Sequence, residues 1–244
     1  MASLFVQIQP GLVERALGTL NSKEIYPVKR YDNLSALMGY DVWLFSAPAS
    51  TPIRPLAATT PGVVYMEPDE EHNYADDVIS PDQGYWREVA PFGTEKMALG
   101  QALGWEYGYL SALPDIMDMI GAPLAHRRGI LGHGVVVLVV DGGVDGARIP
   151  DKNKFGGWTD ADDGDPWVDD FGHGTMVALI VLAVAPEASI YSVRLRPGPN
   201  GGIMKESVLS ALDAFIPVVQ ADPGLLVVMN NSWGTPGCIG EAYW

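Results

Sequence analysis

The chain has 244 residues, of which 48% are hydrophobic and 18% charged, a composition typical of a globular protein with a sizeable core. Its net charge of −15 disfavours a nucleic-acid partner, because phosphate binding requires clustered Lys and Arg side chains. The longest apolar run, residues 176–185, is shorter than the roughly 18 residues that a membrane span requires.

No targeting segment is recognisable in the sequence. The N-terminal stretch MASLFVQIQPG lacks the basic region and apolar block of a secretion signal. The single cysteine, Cys238, has no partner for an internal disulfide, so the sequence does not require an oxidising compartment. We therefore expect a cytoplasmic protein without a membrane segment.

The first 74 residues predict a small α+β domain. Residues 3–9 alternate like a strand, and Pro10 opens a segment with apolar residues at helical spacing. The later elements are expected as two strands, a short helix or turn and a last strand, at residues 24–31, 40–47, 51–62 and 62–71. The order β-α-β-β-α-β is that of a ferredoxin-like unit, although other small α+β domains share this pattern.

The rest of the chain predicts an α/β domain. Residues 75–112 show little periodicity and are expected to form a connection, and LPDIMDMIGAPLAHRRG then predicts a helix and turn. The near-continuous apolar run Gly134–Val140 predicts a strand buried on both faces of a parallel sheet. Strands and helices alternate after it, with strands at Ser189–Leu195 and Leu225–Met229 and helices at Met176–Ala185 and Lys205–Val219. This alternation favours a parallel sheet with helices on both faces.

Asp141 follows the predicted buried strand in the segment VVVLVVDGGVD. The carboxyl ends of the strands are where open α/β sheets place their functional sites. A carboxylate there could orient an imidazole, bind a metal ion, or cap the following turn by accepting backbone N–H bonds. A nucleotide-binding loop is disfavoured, because no GxGxxG pattern follows and Asp145 would repel phosphate.

His173 lies between Gly172 and Gly174 and precedes the apolar segment TMVALIVLAVA, which predicts a helix. The glycines allow the backbone to approach a partner closely, and an apolar helix would hold the imidazole rigidly. A lone His at a helix start is more often structural, so its assignment depends on Asp141. Together they supply two members of a Ser-His-Asp triad, with Asp before His in the chain.

Four segments resemble the subtilisin-like serine proteases, the subtilases. IGAPLAHRRGILGHGVVVLVVDGGVD is similar to the helix, strand and catalytic Asp of that family, and DDFGHGTMVALI is similar to its His motif. VAPEASIYSVRL is similar to the next strand, and VVMNNSWG to the strand that pairs with substrate. The resemblance implies a serine endopeptidase with Asp141 and His173 as catalytic residues. It also implies that Ser232, Trp233 and Gly234 bind the substrate.

The front of the chain resembles the inhibitory propeptide of the same family. Residues 1–74 would form this zymogen domain, and EHNY followed by ADDV suggests autoprocessing between Tyr74 and Ala75. Residues 75–112 would then connect it to the first part of the catalytic domain, residues 113–244. A propeptide that binds the native protease would favour its folding, since parallel α/β cores fold slowly.

An acidic loop, TDADDGDPWVDD at residues 159–170, precedes the His motif. Some subtilases bind calcium in a similar loop, and hard cations take several carboxylate oxygens. Asp160, Asp162 and Asp165 are therefore candidate ligands of a structural Ca²⁺, and the alternative is an exposed loop solvated by water. The expected reaction requires no cofactor.

The sequence contains no Gly-Thr-Ser segment with the nucleophilic Ser and no oxyanion-hole Asn in the family's pattern. We therefore expect the nucleophile on a C-terminal part of the protease outside this chain, and expect the chain alone to be inactive and unstable. The expected partners are that C-terminal part and a peptide or protein substrate. Two alternatives stay open: an inactive subtilase-like scaffold that captures extended peptides, and a metal-dependent hydrolase that uses Asp141, His173 and the acidic loop.

Overall fold

The structure is a computed structural model that describes residues 1–69, 71–74, 113–162, 164–169, 171–198 and 202–234. The chain divides into two compact units, which are described separately below. The first unit comprises Met1–His72, Trp158–Gly164 and Leu195–Leu225, and the second comprises Asn73–Gly157, Asp165–Arg194 and Leu226–Trp244. The predicted connection, residues 75–112, lies outside the described residues, so the predicted domain boundaries stay a prediction.

The N-terminal part of the first unit contains four strands, β1 (Ala2–Ile8), β2 (Tyr26–Arg30), β3 (Asp41–Ala47) and β4 (Val63–Pro68). They form an antiparallel sheet, called the N-terminal sheet below, with the strand order β2-β3-β1-β4. The helices between them are α1 (Val13–Asn21), α2 (Asp32–Met38) and α3 (Ile53–Thr59). Apart from α2, the elements follow the predicted β-α-β-β-α-β order, with β3 placed between β1 and β2.

The remaining elements follow in chain order. They are β5 (Glu71–Tyr74), α4 (Leu113–Met119), α5 (Ala122–Arg127), β6 (Val135–Asp141), the 3₁₀ helix Asp151–Asn153, β7 (Lys154–Thr159), α6 (His173–Val184), β8 (Ser189–Arg194), β9 (Ile203–Met204), α7 (Lys205–Ala221), β10 (Leu226–Asn231) and β11 (Trp233–Gly234). None of the helices in the described part of the chain has the length and apolar character needed to cross a membrane.

Helix α2 is a difference from the sequence prediction, which places two strands directly after one another in this region. The helix has only seven residues, too few to show a helical repeat in the sequence. It ends at Gly39, whose φ of 70° lies in the left-handed region that terminates many helices. Gly39 is therefore the one local signal of this helix, and a glycine alone is compatible with a simple turn.

Both faces of the antiparallel sheet are buried. Leu4 and Ile8 of β1 point to one face, where they pack with α1 and α3. Phe5 points to the other face and belongs to a second apolar cluster that includes Ile216 of α7. This alternation follows from the two-residue repeat of a strand. A helix distant in sequence thus covers one face of the N-terminal sheet within the first unit.

The second unit contains the predicted parallel sheet, with the strand order β10-β6-β8-β7. Strand β6 runs parallel to both β8 and β10, and Val136–Val140 are buried, as expected for a strand covered on both faces. Helix α6 packs against β6. The fold is therefore mixed α/β, with a parallel sheet flanked by helices and an additional antiparallel sheet. This architecture confirms the predicted fold class.

Strand β7 was not predicted from the sequence, whereas β10 was. The sequence of β7, KFGGWT, contains two glycines that weaken its strand pattern, yet a Cβ at Gly157 would lie 2.7 Å from the Ser192 carbonyl oxygen. Strand β10 lies where the sequence predicts a strand, and its Leu226 and Val228 are 62% and 53% exposed at an edge of the described sheet. An apolar run predicts a strand, but it carries no information about which neighbours cover it.

Candidate active site

Asp141 is the last residue of β6, at the carboxyl end of an inner parallel strand. Its side chain is 1% exposed. Oδ1 accepts a hydrogen bond from the Gly142 N–H at 2.7 Å, and Oδ2 lies 2.8 Å from Nδ1 of His173. Each oxygen therefore has a donor, and the backbone turn after β6 orients the carboxylate towards the imidazole.

The environment of Asp141 acts on its pKa in opposing directions. Burial raises the pKa of Asp141 above its ordinary value, because desolvation disfavours the charged carboxylate. The hydrogen bonds from His173 and Gly142 lower this pKa, whereas the nearby negative charge of Asp169 raises it. The charge of the buried carboxylate is thus stabilised mainly by the imidazole beside it.

His173 is the first residue of α6, and its side chain is 10% exposed. Its contact with Asp141 assigns the Nδ1 proton to the hydrogen bond between them. A neutral imidazole protonated at Nδ1 carries its lone pair on Nε2, which is the arrangement of a general base in a Ser-His-Asp triad. The fold therefore brings together two candidate residues that lie 32 positions apart in the chain.

Gly174 allows α6 to approach the strand that carries Asp141. A Cβ at Gly174 would lie 2.1 Å from the Gly143 carbonyl oxygen and 3.0 Å from Cβ of Asp141. Gly143 itself has a φ of 104°, a backbone conformation that other residues rarely adopt. The glycines around the two candidate residues therefore serve close packing between a loop and a helix start.

Of the three predicted substrate-binding residues, Ser232 directly follows β10, and Trp233 and Gly234 form β11. Ser232 Oγ donates to Oδ1 of Asn230 at 2.9 Å, and the indole Nε1 of Trp233 donates to the Val140 carbonyl at 3.0 Å. The Trp233 side chain is thus anchored beside the residue that precedes Asp141. Gly234 is the second residue of β11.

Strand β11 pairs with the end of the predicted propeptide. Trp233 is the antiparallel partner of Tyr74, and Gly234 is the partner of Asn73. The predicted processing site begins at Tyr74, the last residue of β5, and continues at Ala75, which lies outside the described residues. The strand predicted to bind an extended peptide therefore pairs with an extended segment of this same chain.

Two carboxylates of the acidic loop accept hydrogen bonds from backbone N–H groups or a hydroxyl group. Asp160 accepts hydrogen bonds from the Arg196 N–H at 2.6 Å and the Ser207 hydroxyl, and Asp165 accepts one from the Trp167 N–H at 2.9 Å. Asp162 is exposed. Within the described ranges, no three His, Cys, Asp or Glu side chains are grouped so that they could hold a metal ion. The calcium site stays a prediction.

Comparison with known proteins shows which family the segment around Asp141 and His173 resembles. The profile of the subtilase family matches residues 132–243, which contain both Asp141 and His173. This segment, a little less than half of the chain, is similar to the subtilase family. The chain is 35% identical to subtilisin E of Bacillus subtilis (strain 168) over 104 residues, which is 38% of this chain and 27% of the relative.

Two further relatives match a longer part of this chain. Subtilisin Savinase of Lederbergia lenta is 34% identical over 134 residues, which is 51% of this chain and 46% of the relative. An alkaline protease of Shouchella clausii is 34% identical over 134 residues, which is 51% of this chain and 33% of the relative. The chain thus spans between about a quarter and a half of the length of these relatives.

Sequence reasoning missed two structural residues of the subtilase segment. It treats Asp169 as a member of the acidic loop, whereas the Asp169 carboxylate binds the start of α6. It assigns nothing to Arg194, which lies in register with Asp141 and donates to the Asp165 carbonyl at 2.9 Å. An Asp a few residues before a helix start is a capping signal, whereas the position of Arg194 depends on sheet register.

Proposed function

We propose that this chain is the N-terminal portion of a subtilisin-like serine endopeptidase that is made as a proenzyme. The observation that carries the proposal is the 2.8 Å contact between His173 Nδ1 and Asp141 Oδ2, at the carboxyl end of a parallel strand. The match of this segment to subtilases supports the same reading. The substrate is a peptide or protein, and the reaction is hydrolysis of a peptide bond.

The proposed mechanism is acyl transfer through a Ser supplied by a further segment of the protease. His173 would accept the Ser proton at Nε2 and later return it to the leaving amine, while Asp141 holds the imidazole tautomer and stabilises the imidazolium. Donors of an oxyanion hole would stabilise the tetrahedral intermediate. Because the sequence lacks the nucleophile motif, we propose that this chain alone is inactive. No cofactor takes part in these steps.

The proposed role of residues 1–74 is that of an inhibitory propeptide. The antiparallel pairing of Tyr74 with Trp233 supports it, because an extended segment occupies the strand that would otherwise bind substrate. The natural place for autoprocessing is then between Tyr74 and Ala75. A propeptide in this position blocks the strand until it is cleaved and released.

Contacts inside the first unit support a folding role for the same residues. The Leu34 N–H donates to Oδ1 of Asp213 at 2.8 Å, and Lys29 Nζ donates to Ser210 Oγ at 2.7 Å. The N-terminal sheet also buries Ile216 of α7. A domain that binds α7 only in its folded form would stabilise that form by mass action.

A second candidate function is an inactive scaffold that captures extended peptides. The pairing of β5 with β11 also favours this function, because main-chain hydrogen bonds to a strand edge can bind a peptide without catalysis. The two candidates differ in whether a nucleophilic Ser completes the Asp141–His173 pair.

Intact mass spectrometry with peptide mapping separates the two candidates. The protein is expressed from its full native reading frame, with and without a fluorophosphonate probe, and a His173→Ala variant serves as the control. We expect a probe-labelled Ser on a segment after Trp244, a cut near Tyr74, and loss of both in the variant. An unlabelled, uncut wild-type protein would reject the protease and leave the scaffold.

A further inference from the structure

The carboxylate of Asp169 accepts several hydrogen bonds at the start of α6. Oδ1 accepts the N–H groups of Phe171 at 3.1 Å and Gly172 at 2.8 Å. Oδ2 accepts the N–H of Thr175 at 2.8 Å and also the Thr175 hydroxyl. Gly172, directly before the helix, has no side chain that could cap it, so Asp169 supplies the acceptor that the first turn requires.

Thr175 links the start of α6 to the loop that follows Asp141. Its hydroxyl donates to Asp169 and accepts the N–H of Asp145 at 2.8 Å. Asp145 belongs to the loop that follows Asp141, and Thr175 is the third residue of the helix that begins with His173. A single carboxylate therefore connects the loop after one member of the pair to the helix that carries the other.

We propose that Asp169 is a positioning residue that sets the distance between Asp141 and His173. It acts through the start of α6 and through Thr175, and a displacement of either would lengthen the buried hydrogen bond on which the imidazole orientation depends. The negative charge of Asp169 adds a second effect, since it also favours the protonated imidazole. The inference deepens the proposed function and rests on it for the role of the pair in acyl transfer.

The test is the Asp169→Asn variant of the full chain, labelled with ¹⁵N-histidine and followed by NMR. The amide keeps the size of the side chain but replaces one acceptor oxygen with an NH₂ group, so half of the bonds are lost. We expect exchange of the His173 Nδ1 proton with water to become about tenfold faster, as for loss of a charge-assisted hydrogen bond. The pKa of His173 should fall below its wild-type value.

Asp151→Asn is the matched control. It removes the same charge in the second unit from a side chain that is 97% exposed, where the carboxylate forms an ion pair with Lys154. We expect the Nδ1 proton exchange and the His173 pKa to stay at their wild-type values. Equal changes in the two variants would mean that net charge alone is responsible, and this result would overturn the proposal.

Variants of Thr175 provide a second test of the role of Asp169 if Asp169→Asn does not fold. Thr175→Val removes the hydroxyl bridge to Asp145 at similar volume, and we expect it to reproduce part of the faster Nδ1 exchange. Thr175→Ser retains the hydroxyl and should restore wild-type behaviour. If these substitutions only lower the melting temperature and leave Nδ1 exchange and the His173 pKa unchanged, Asp169 has a structural role and the proposal is wrong.

The NMR measurement is independent of the proposed protease activity. It reports the Asp141–His173 geometry in the chain itself, whereas fluorophosphonate labelling reports the nucleophile. Absence of labelling together with an altered Nδ1 signal would reject the protease and retain Asp169 as the residue that positions the pair. Labelling together with an unaltered signal would reject only the role of Asp169.

Discussion

The Asp141–His173 pair and the contact between the N-terminal sheet and α7 are held in different ways. The pair is fixed by buried hydrogen bonds and by a glycine that lets the backbone approach to contact distance. The contact with α7 consists of an apolar cluster and of partly exposed hydrogen bonds, such as those of Asp213 and Ser210. We expect the first arrangement to resist movement, and we expect the second to separate more readily because separation exposes one helix face. The proposed roles of a catalytic pair and a releasable propeptide would require this difference.

The largest expected effect comes from removing the charge of the buried pair. In the proposed complete protease, Asp141→Asn should lower kcat by about 10⁴-fold, because the amide no longer fixes the required imidazole tautomer. In this chain alone, the same substitution should lower the pKa of His173, as measured by NMR titration, since a stabilising negative charge is lost. Asp151→Asn should leave both quantities unchanged. Wild-type kcat in Asp141→Asn would show that the pair is not catalytic.

Ile216→Ala tests the apolar contact between α7 and the N-terminal sheet. Ile216 is buried in the cluster that joins α7 to the N-terminal sheet, so its truncation should lower the free energy of unfolding by about 3 kcal/mol. Chemical denaturation of the full chain gives this value, and amide hydrogen exchange in β1 and β3 should rise with it. Leu37→Ala, at a side chain that is 67% exposed, is the control and should cost far less. Equal costs would contradict the assigned burial.

Gly174→Ala tests the close approach within the pair. The added Cβ would meet the Gly143 carbonyl oxygen at 2.1 Å, so α6 must shift away from Asp141. We expect a loss of about 2 kcal/mol in unfolding free energy, typical of overpacking, together with faster exchange of the His173 Nδ1 proton. Gly18→Ala is the matched helical control, because a Cβ there meets nothing within 4 Å and should be neutral or stabilising. An unshifted Nδ1 signal in Gly174→Ala would contradict the steric argument.

The predictable features of this protein are those with local signals. Asp141 ends an apolar run, and His173 is bracketed by glycines before an apolar helix, so each position is marked by its own neighbours. The contact between them follows from the parallel α/β order, which brings strand ends and helix starts together. The fold class and the positions of these two candidate residues were therefore accessible from the sequence.

The features that escaped prediction depend on partners distant in sequence or on very short elements. The exposure of β10 depends on which strands lie beside it, and the bond from Trp233 to Val140 depends on the strand register. Helix α2 is shorter than two turns, and the glycines of β7 conceal its strand character. Asp169 was not recognised because it belongs to an acidic loop whose composition favoured a cation site. The hydrogen bonds of Asp169 are nevertheless those of a helix cap.

Asp69 introduces a pH dependence into the contact with α7. Its Oδ1 accepts the Glu206 N–H at 3.2 Å at the start of α7, and Lys205 Nζ lies 3.2 Å from Oε2 of Glu67. Burial, the largest cause, raises the pKa of Asp69 to about 6. The hydrogen bond from the Glu206 N–H lowers this pKa, the negative charge of Glu206 raises it, and Lys205 lowers it. The folded state therefore binds the Asp69 proton more tightly than the unfolded state, whose pKa is near 3.8.

The sign of this shift makes the contact weaker, not stronger, as pH rises from about 4 to 6. Above pH 6 the ionised carboxylate stays partly desolvated, at a cost of roughly 1 kcal/mol after solvent screening. Asp69→Asn keeps an acceptor for the Glu206 N–H without the charge, so it should raise unfolding free energy at pH 7 and change it little at pH 4. Urea denaturation of the full chain at the two pH values measures this, with the exposed Asp222→Asn as the control. Equal stabilisation at both pH values would show that charge burial is not the cause, and the contact between the N-terminal sheet and α7 would then not weaken as Asp69 ionises.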